Sequence, residues 1–94
     1  MAAIDTVTAL AMVKARLNRL PEDTTLDEYL AERVNGAIGE LEAMGIRLTP
    51  SAEDMMLVVD YAVYEYQSRD KPGGLPDWLR RRVRFRWFQQ EVGS

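Results

Sequence analysis

Residues 51–69 constrain the fold of this 94-residue chain most, because they are apolar on nearly all sides when drawn as a helix. One apolar line recurs every three or four positions, the spacing that lines one helical face. Its members are Met55, Val58, Val59, Ala62, Val63 and Tyr66. Leu57, Tyr61 and Tyr64 form a second line on the opposite face. A helix of this kind is buried on more than one side, which predicts either the central helix of a bundle or a contact between subunits.

Three further segments show helical spacing, and the four together predict an all-α fold, a compact bundle of about four helices in a single domain, 1–94. The predicted helices are 8–20, 25–44, 51–69 and 76–91. Pro21 would end the first helix, and Gly45 suits the left-handed position that follows many helices. The break DKPGG separates the third helix from the fourth. No strand pattern competes with these helical patterns.

Polar residues stand where three of the predicted helices begin. Thr6 or Thr8 can cap the first helix, and Ser51 can cap the third. Thr25, followed three positions later by a glutamate, predicts a capping box for the second helix. These caps support the predicted order of elements.

Two glycines, Gly36 and Gly39, lie inside the second predicted helix. Each costs up to ~1 kcal/mol relative to alanine there. They either leave the helix weak or let the backbone of another helix approach closely. We favour the close approach, although the sequence does not indicate which helix approaches.

The fourth predicted helix carries two apolar lines separated by arginines. Trp78, Phe85, Phe88 and Val92 share one side, and Leu79, Val83 and Trp87 share another. Arg80 and Arg84 fill one seam between these lines, and Arg82 and Arg86 fill the other. One face can join the bundle. The other combines tryptophan and arginine, a composition typical of protein interfaces.

The chain contains no cysteine and no histidine. Their absence excludes disulfides, cysteine nucleophiles, thiolate or imidazole metal sites and the usual general base at pH 7. Its carboxylates lack a basic or nucleophilic companion at a fixed spacing, so we predict no catalytic, metal or cofactor site and no enzyme. No apolar run approaches the ~20 residues of a membrane span, and the first residues lack the basic region of a secretion signal, which predicts a soluble intracellular domain.

Charge is divided unevenly along the chain. Residues 22–65 hold eleven acidic residues against two arginines, whereas residues 66–94 hold seven basic residues against three acidic ones. The arginine run from 80 to 86 has three interpretations: a solvated face, ion pairs with the acidic part of a neighbouring copy or another protein, or contacts with DNA phosphates. The last predicts a small DNA-binding regulator, but the sequence pI of about 4.9 argues against it.

The segment DYAVYEYQSRDKPGGLPDWLRRRVRFRW, residues 60–87, resembles the C-terminal half of small head–tail connector proteins of tailed bacteriophages and prophages. The similar features are the tyrosine-rich helix end, the RDKPGG-x-P break, DWLR and an arginine-rich helix with tryptophan. Upstream, VKARLNRL, an acidic turn and DEYLAERVNGAI follow a similar layout, so the resemblance covers about 80 of the 94 residues. The EDTT turn and the long acidic second helix depart from the usual pattern.

The resemblance implies a helical adaptor that assembles as a ring, usually of twelve subunits, beneath the portal protein of the capsid. Such a ring, located in the neck of the virion and assembled in the bacterial cytoplasm, extends the DNA channel without sequence-specific binding. It also provides the platform for stopper and tail proteins. Other virion parts of similar size, such as head-completion or tail-terminator proteins, remain alternatives, and a tail terminator would contain strands.

Helical geometry, separately from the resemblance, predicts the surfaces that would assemble. The expected apolar subunit contacts are Leu57, Tyr61 and Tyr64. The expected subunit or portal contacts are Arg80, Arg82, Arg84, Arg86 and Trp87.

Overall fold

The computed structural model describes residues 3–71 and 73–93, which form four helices and no strand. The helices are α1 (Thr6–Arg16), α2 (Asp27–Ala43), α3 (Ala52–Gln67) and α4 (Asp77–Gly93). The predicted all-α fold with about four helices is confirmed, in the predicted order. Pro72, within the predicted break before α4, lies outside the described residues.

The first helix ends at Arg16, earlier than the predicted residue 20. Asn18 adopts a left-handed backbone with a φ of 60°, which turns the chain before Pro21 is reached. The predicted threonine caps are wrong, because the Asp5 carboxylate accepts the backbone N–H groups of Val7 and Thr8 instead. An ionised carboxylate also suits the positive end of the helix dipole.

The second helix begins at Asp27 without a side-chain cap, so the predicted capping box at Thr25 is wrong. The backbone N–H of Thr25 donates to Asp23 Oδ1, an arrangement that keeps Thr25 in the preceding turn. Two other predicted ends are confirmed: Ser51 accepts the N–H of Asp54 at the start of α3, and Gly45 follows α2 with a φ of 94°.

The third helix is the central one, because it packs against each of the other three helices. Most residues of its two apolar lines are buried within the chain, which favours the predicted role of a central helix. α1 and α2 also pack against each other. The fully covered side chains of this core include Val13, Leu30, Val34, Leu41, Val58, Val59 and Leu79.

A buried lysine fixes the connection between α1 and α2. Lys14 is almost fully buried, with its Nζ 2.9 Å from Asp27 Oδ1 and 2.9 Å from the backbone oxygen of Pro21. Because a buried ammonium group needs such partners, these contacts hold the loop and the first residue of α2 against α1.

Candidate interaction surface

The last helix, α4, is attached to the bundle through one narrow apolar line. Leu79 and Val83 are its two buried residues, and both belong to the common core. Its register is set at the start, where the N–H groups of Leu79 and Arg80 donate to the backbone oxygen of Pro76. The remaining attachment is polar.

Arg86 and Asp54 form the strongest polar link between α4 and α3. Arg86 Nε lies 2.7 Å from Asp54 Oδ1, and Nη2 lies 3.0 Å from Oδ2, so the guanidinium binds the carboxylate with two hydrogen bonds. Burial alone would raise the pKa of Asp54, but the hydrogen bonds from Arg86 and Thr49 hold that pKa below its usual value. Asp54 is therefore ionised and paired in the interior.

A second carboxylate, Asp60, joins three helices. Its Oδ1 lies 2.6 Å from Nη1 of Arg16 on α1, and its Oδ2 accepts a hydrogen bond from Nη1 of Arg82 on α4. The earlier acid, Asp54, pairs with the later arginine, Arg86, and Asp60 pairs with Arg82. The helices α3 and α4 therefore run antiparallel. We call these two pairs the acid–arginine latch.

The far end of α4 is fixed to the link between α2 and α3. Gln90 Oε1 accepts the backbone N–H of Arg47 at 2.8 Å, and its Nε2 donates to the backbone oxygen of Gly45. Arg86 Nη2 donates to the backbone oxygen of Arg47 as well, at 2.8 Å. The indole of Trp87 lies beside Gly45, where an added Cβ would be 3.2 Å from its Nε1.

The opposite side of α4 is an exposed apolar stripe. Trp78, Phe85, Phe88 and Val92 are exposed to 47%, 65%, 58% and 67% of their surface. Arg81 is three residues after Trp78 and four before Phe85, so it projects from the same side. We call these five residues the α4 face. An open groove of about 460 Å³ separates Phe85 from Met56 and Leu57 on α3.

The structure corrects the predicted subunit role of Leu57 and Tyr61. Both are buried within the chain, with 3% of their surface exposed, and Tyr61 donates its hydroxyl to Glu40 Oε2 at 2.6 Å. Tyr64 is only partly covered and donates to the backbone oxygen of Gly74. Leu57 and Tyr61 therefore pack within the chain, whereas a subunit contact through Tyr64 remains a prediction.

The predicted ion pairs between copies also need correction for Arg82 and Arg86, because both bind acids of the same chain. Arg80 bonds locally, to Asp77 and to the backbone oxygen of Leu75. Arg84 has no hydrogen bond or ion pair with any residue that the structure describes. Trp87 is 42% exposed and packs on the bundle side. A role for Arg80, Arg84 and Trp87 in assembly remains a prediction.

The spacing of apolar residues does not identify Asp54 and Asp60 as partners of the arginines. The available signal was their position: both interrupt a helix that is otherwise apolar nearly all round, and a buried acid requires a cation. Arg82 and Arg86 were the matching cations, four residues apart on one side of α4.

A pair of carboxylates lies between α2 and α3. Burial, followed by the charge of Glu40 and a hydrogen bond to it, raises the pKa of Glu65 to about 7, against the opposing effect of Arg33. Burial and the hydrogen bond to Glu40 raise the pKa of Tyr61 too. Glu65 therefore holds its proton up to near neutral pH.

Over residues 3–71 and 73–93, no three acidic side chains come together in a group that could hold a metal ion. Within the same residues no helix is long and apolar enough to cross a bilayer. The described part of α4 presents an exposed apolar stripe on a helix that the acid–arginine latch joins to α3.

Comparisons with protein-family models, with curated proteins and with solved structures found no match.

Proposed function

We propose that this chain is a head–tail connector subunit of a tailed bacteriophage or prophage, acting by assembly and without catalysis. Copies would form a ring on the portal protein, extend the DNA channel and provide the docking platform for stopper and tail proteins. The observation that carries this proposal is the α4 face, a row of aromatic residues held outward on a helix fixed by the acid–arginine latch.

The exposure of this face is unusual for so small a chain. Large aromatic side chains contribute most to binding when a partner removes them from water, and scattered single apolar residues do not produce such a row. The acid–arginine latch would also favour binding, because a helix that is already fixed in place loses little conformational freedom when a partner binds. An adaptor that must fit between two larger assemblies needs such a preformed surface.

The state of the arginines favours a protein partner over DNA. Arg82 and Arg86 are occupied by Asp60 and Asp54, so their charges are neutralised within the chain. Few free cations remain on α4 for phosphate contacts, and the formal net charge of the chain is −3. A ring that forms a channel must let DNA pass without binding it tightly, and a subunit with few free cations and a net negative charge agrees with this requirement.

Light scattering on the purified chain, over a wide concentration range and with or without duplex DNA, tests the proposal. We expect the measured mass to rise with concentration from the monomer value of 10.7 kDa towards that of a ring of about twelve copies. Adding DNA should leave this mass unchanged. A monomer whose mass shifts only with DNA, in a salt-dependent manner, would favour a DNA-binding regulator instead. Cosedimentation with the portal protein of the same phage or prophage tests the second part of the proposal, binding to the portal.

Two matched variants connect the result to the α4 face. Phe85→Ser should weaken ring formation or portal binding by about 2 kcal/mol, the size of an interface hot spot. Val7→Ser removes an apolar side chain that is 77% exposed on α1 and should leave both unchanged. Equal effects of the two variants would count against the α4 face as the assembly surface.

A further inference from the structure

The outer side of α2 is unusually bare. Gly36 and Gly39 are exposed, and a Cβ added to either would meet nothing within 4 Å. The close helix approach predicted for them is therefore wrong within the chain. Ala43, seven residues after Gly36, is exposed on the same side, so this stretch presents backbone and small side chains only.

Two glutamates extend this bare stretch towards the start of α2. Glu28 and Glu32 lie eight and four residues before Gly36, and both are exposed. Neither has a hydrogen bond or ion pair with the rest of the described chain. Like charges four residues apart on a helix repel each other, so a cation from outside would relieve a cost that the isolated chain carries.

The α4 face has the complementary pattern. Arg81 lies among the aromatic residues. Its one hydrogen bond with a described residue is long, 3.4 Å from its Nε to the backbone oxygen of Asp77. Arg84 lies at the edge of the same face without a partner among the described residues. The α4 face thus offers aromatic residues with two available arginines, and the outer side of α2 offers a bare stretch with two unpaired glutamates.

We propose that the α4 face docks on the outer side of α2 of a second copy, with Phe85 and Phe88 over Gly36 and Gly39 and with Arg81 and Arg84 near Glu28 and Glu32. This inference rests on the proposed function and identifies the surface that receives α4. The second copy is indicated because its charges match those of the α4 face. The two surfaces are different, so the contact repeats head to tail and closes a ring if the rotation permits.

Filling the bare stretch tests the apolar half of the contact. Gly36→Leu adds a side chain where the isolated chain has open space and should leave the helical circular dichroism unchanged. It should weaken self-association by about tenfold or more, measured by sedimentation over a concentration series, because the larger side chain would overpack the contact. Ala15→Leu places the same side chain on the exposed side of α1 and should have no effect.

A charge exchange tests the polar half and identifies the occupant. Arg84→Glu and Glu32→Arg should each weaken self-association, and the double variant should restore it, because every head-to-tail contact then regains an opposite pair. Restoration requires that both surfaces come from copies of this chain. A double variant as weak as the worse single variant would overturn the pairing.

The outcomes separate this inference from the proposed function. A chain that stays monomeric up to its solubility limit, or that associates equally well with Gly36→Leu, overturns docking on α2. Portal binding that still depends on Phe85 would leave the connector function standing in that case. If the unmodified chain neither self-associates nor binds the portal protein, both the proposed function and this inference are rejected.

Discussion

The helices α1 to α3 and the helix α4 are held in place by different forces. The first three bury most of the core, including Val13, Leu30 and Leu41 with no exposed surface. α4 is as long as α2, at 17 residues, yet it buries only two side chains and relies on the acid–arginine latch. Apolar burial stabilises without fixing direction, whereas a two-bond carboxylate–guanidinium pair fixes both distance and angle.

The difference explains how α4 can expose an apolar stripe and stay attached. If burial alone held the helix, the aromatic side would be the side drawn into the core, since it carries more apolar surface than Leu79 and Val83. The paired charges on the other side, Arg82 and Arg86, determine which side faces inward. The aromatic side therefore remains exposed.

The largest expected contrast comes from truncating one apolar residue in each region. Leu41→Ala should lower the free energy of unfolding by about 3–5 kcal/mol, because it leaves a cavity among fully buried neighbours. Phe85→Ala, which removes a larger side chain from the α4 face, should change it by less than about 0.5 kcal/mol. Urea denaturation of both variants measures the contrast. Similar losses would mean that Phe85 packs into the folded chain.

Breaking the acid–arginine latch should be the next largest effect. Asp54→Asn should cost about 3 kcal/mol, since it leaves Arg86 without its buried counter-charge. Hydrogen exchange should show faster exchange in α4 than in α2. Because the pKa of Asp54 is lowered in the fold, its stabilisation is complete above the unfolded value near 3.8 and is lost as the pH falls through the folded value.

Asp77→Asn is the matched control for this latch variant. It removes an exposed partner of Arg80, 3.2 Å away, and such surface pairs contribute at most about 1 kcal/mol. Equal protection of α2 and α4 in Asp54→Asn would show that the two regions unfold as one unit.

A third and smaller effect concerns pH and the contact between α2 and α3. The pKa of Glu65 is about 7 in the fold against 4.5 for the free side chain, so the folded chain holds an extra proton between these values. Stability should therefore decrease as the pH rises from about 4.5 to 7. Glu65→Gln should remove this decrease and be more stable than the parent at pH 8 by about 1 kcal/mol, after allowance for solvent screening.

Thermal or urea unfolding at pH 5 and pH 8 measures this effect. Glu42→Gln, at an exposed position of α2, is the control and should leave the pH profile of the parent unchanged. Parallel profiles for Glu65→Gln and the parent would show that Glu65 does not retain its proton in the fold.

The number, order and approximate positions of the helices could be predicted because apolar spacing and turn residues are local properties. The helix ends were less accurate, since Asp5 and Asn18 decide them through hydrogen bonds and a left-handed backbone that spacing does not contain. Periodicity shows that a face is apolar but not what covers it, which is why Leu57 and Tyr61 were assigned to a subunit contact.

The acid–arginine latch could not be predicted for a related reason. Pairing Asp54 with Arg86 and Asp60 with Arg82 requires the register of two antiparallel helices, and that register depends on the whole packed core. By contrast, the composition of the α4 face could be predicted, because the helical spacing of Trp78, Phe85, Phe88 and Val92 is a local property that needs no knowledge of the packed core.

The smallest expected effects come from glycines and differ in sign between the two regions. Gly36→Ala should raise the free energy of unfolding by about 0.5–1 kcal/mol, because alanine favours a helix and has open space there. Gly45→Ala should lower it by about 1 kcal/mol, since its φ is 94° and the new Cβ would lie 3.2 Å from Trp87 Nε1, at the contact with α4. Urea denaturation of both variants compares them directly. A gain at Gly45 would mean that Trp87 moves freely and that the end of α4 is not fixed. A loss at Gly36 would mean that the outer side of α2 is already occupied in solution, which repeating the measurement at lower protein concentration would confirm or exclude.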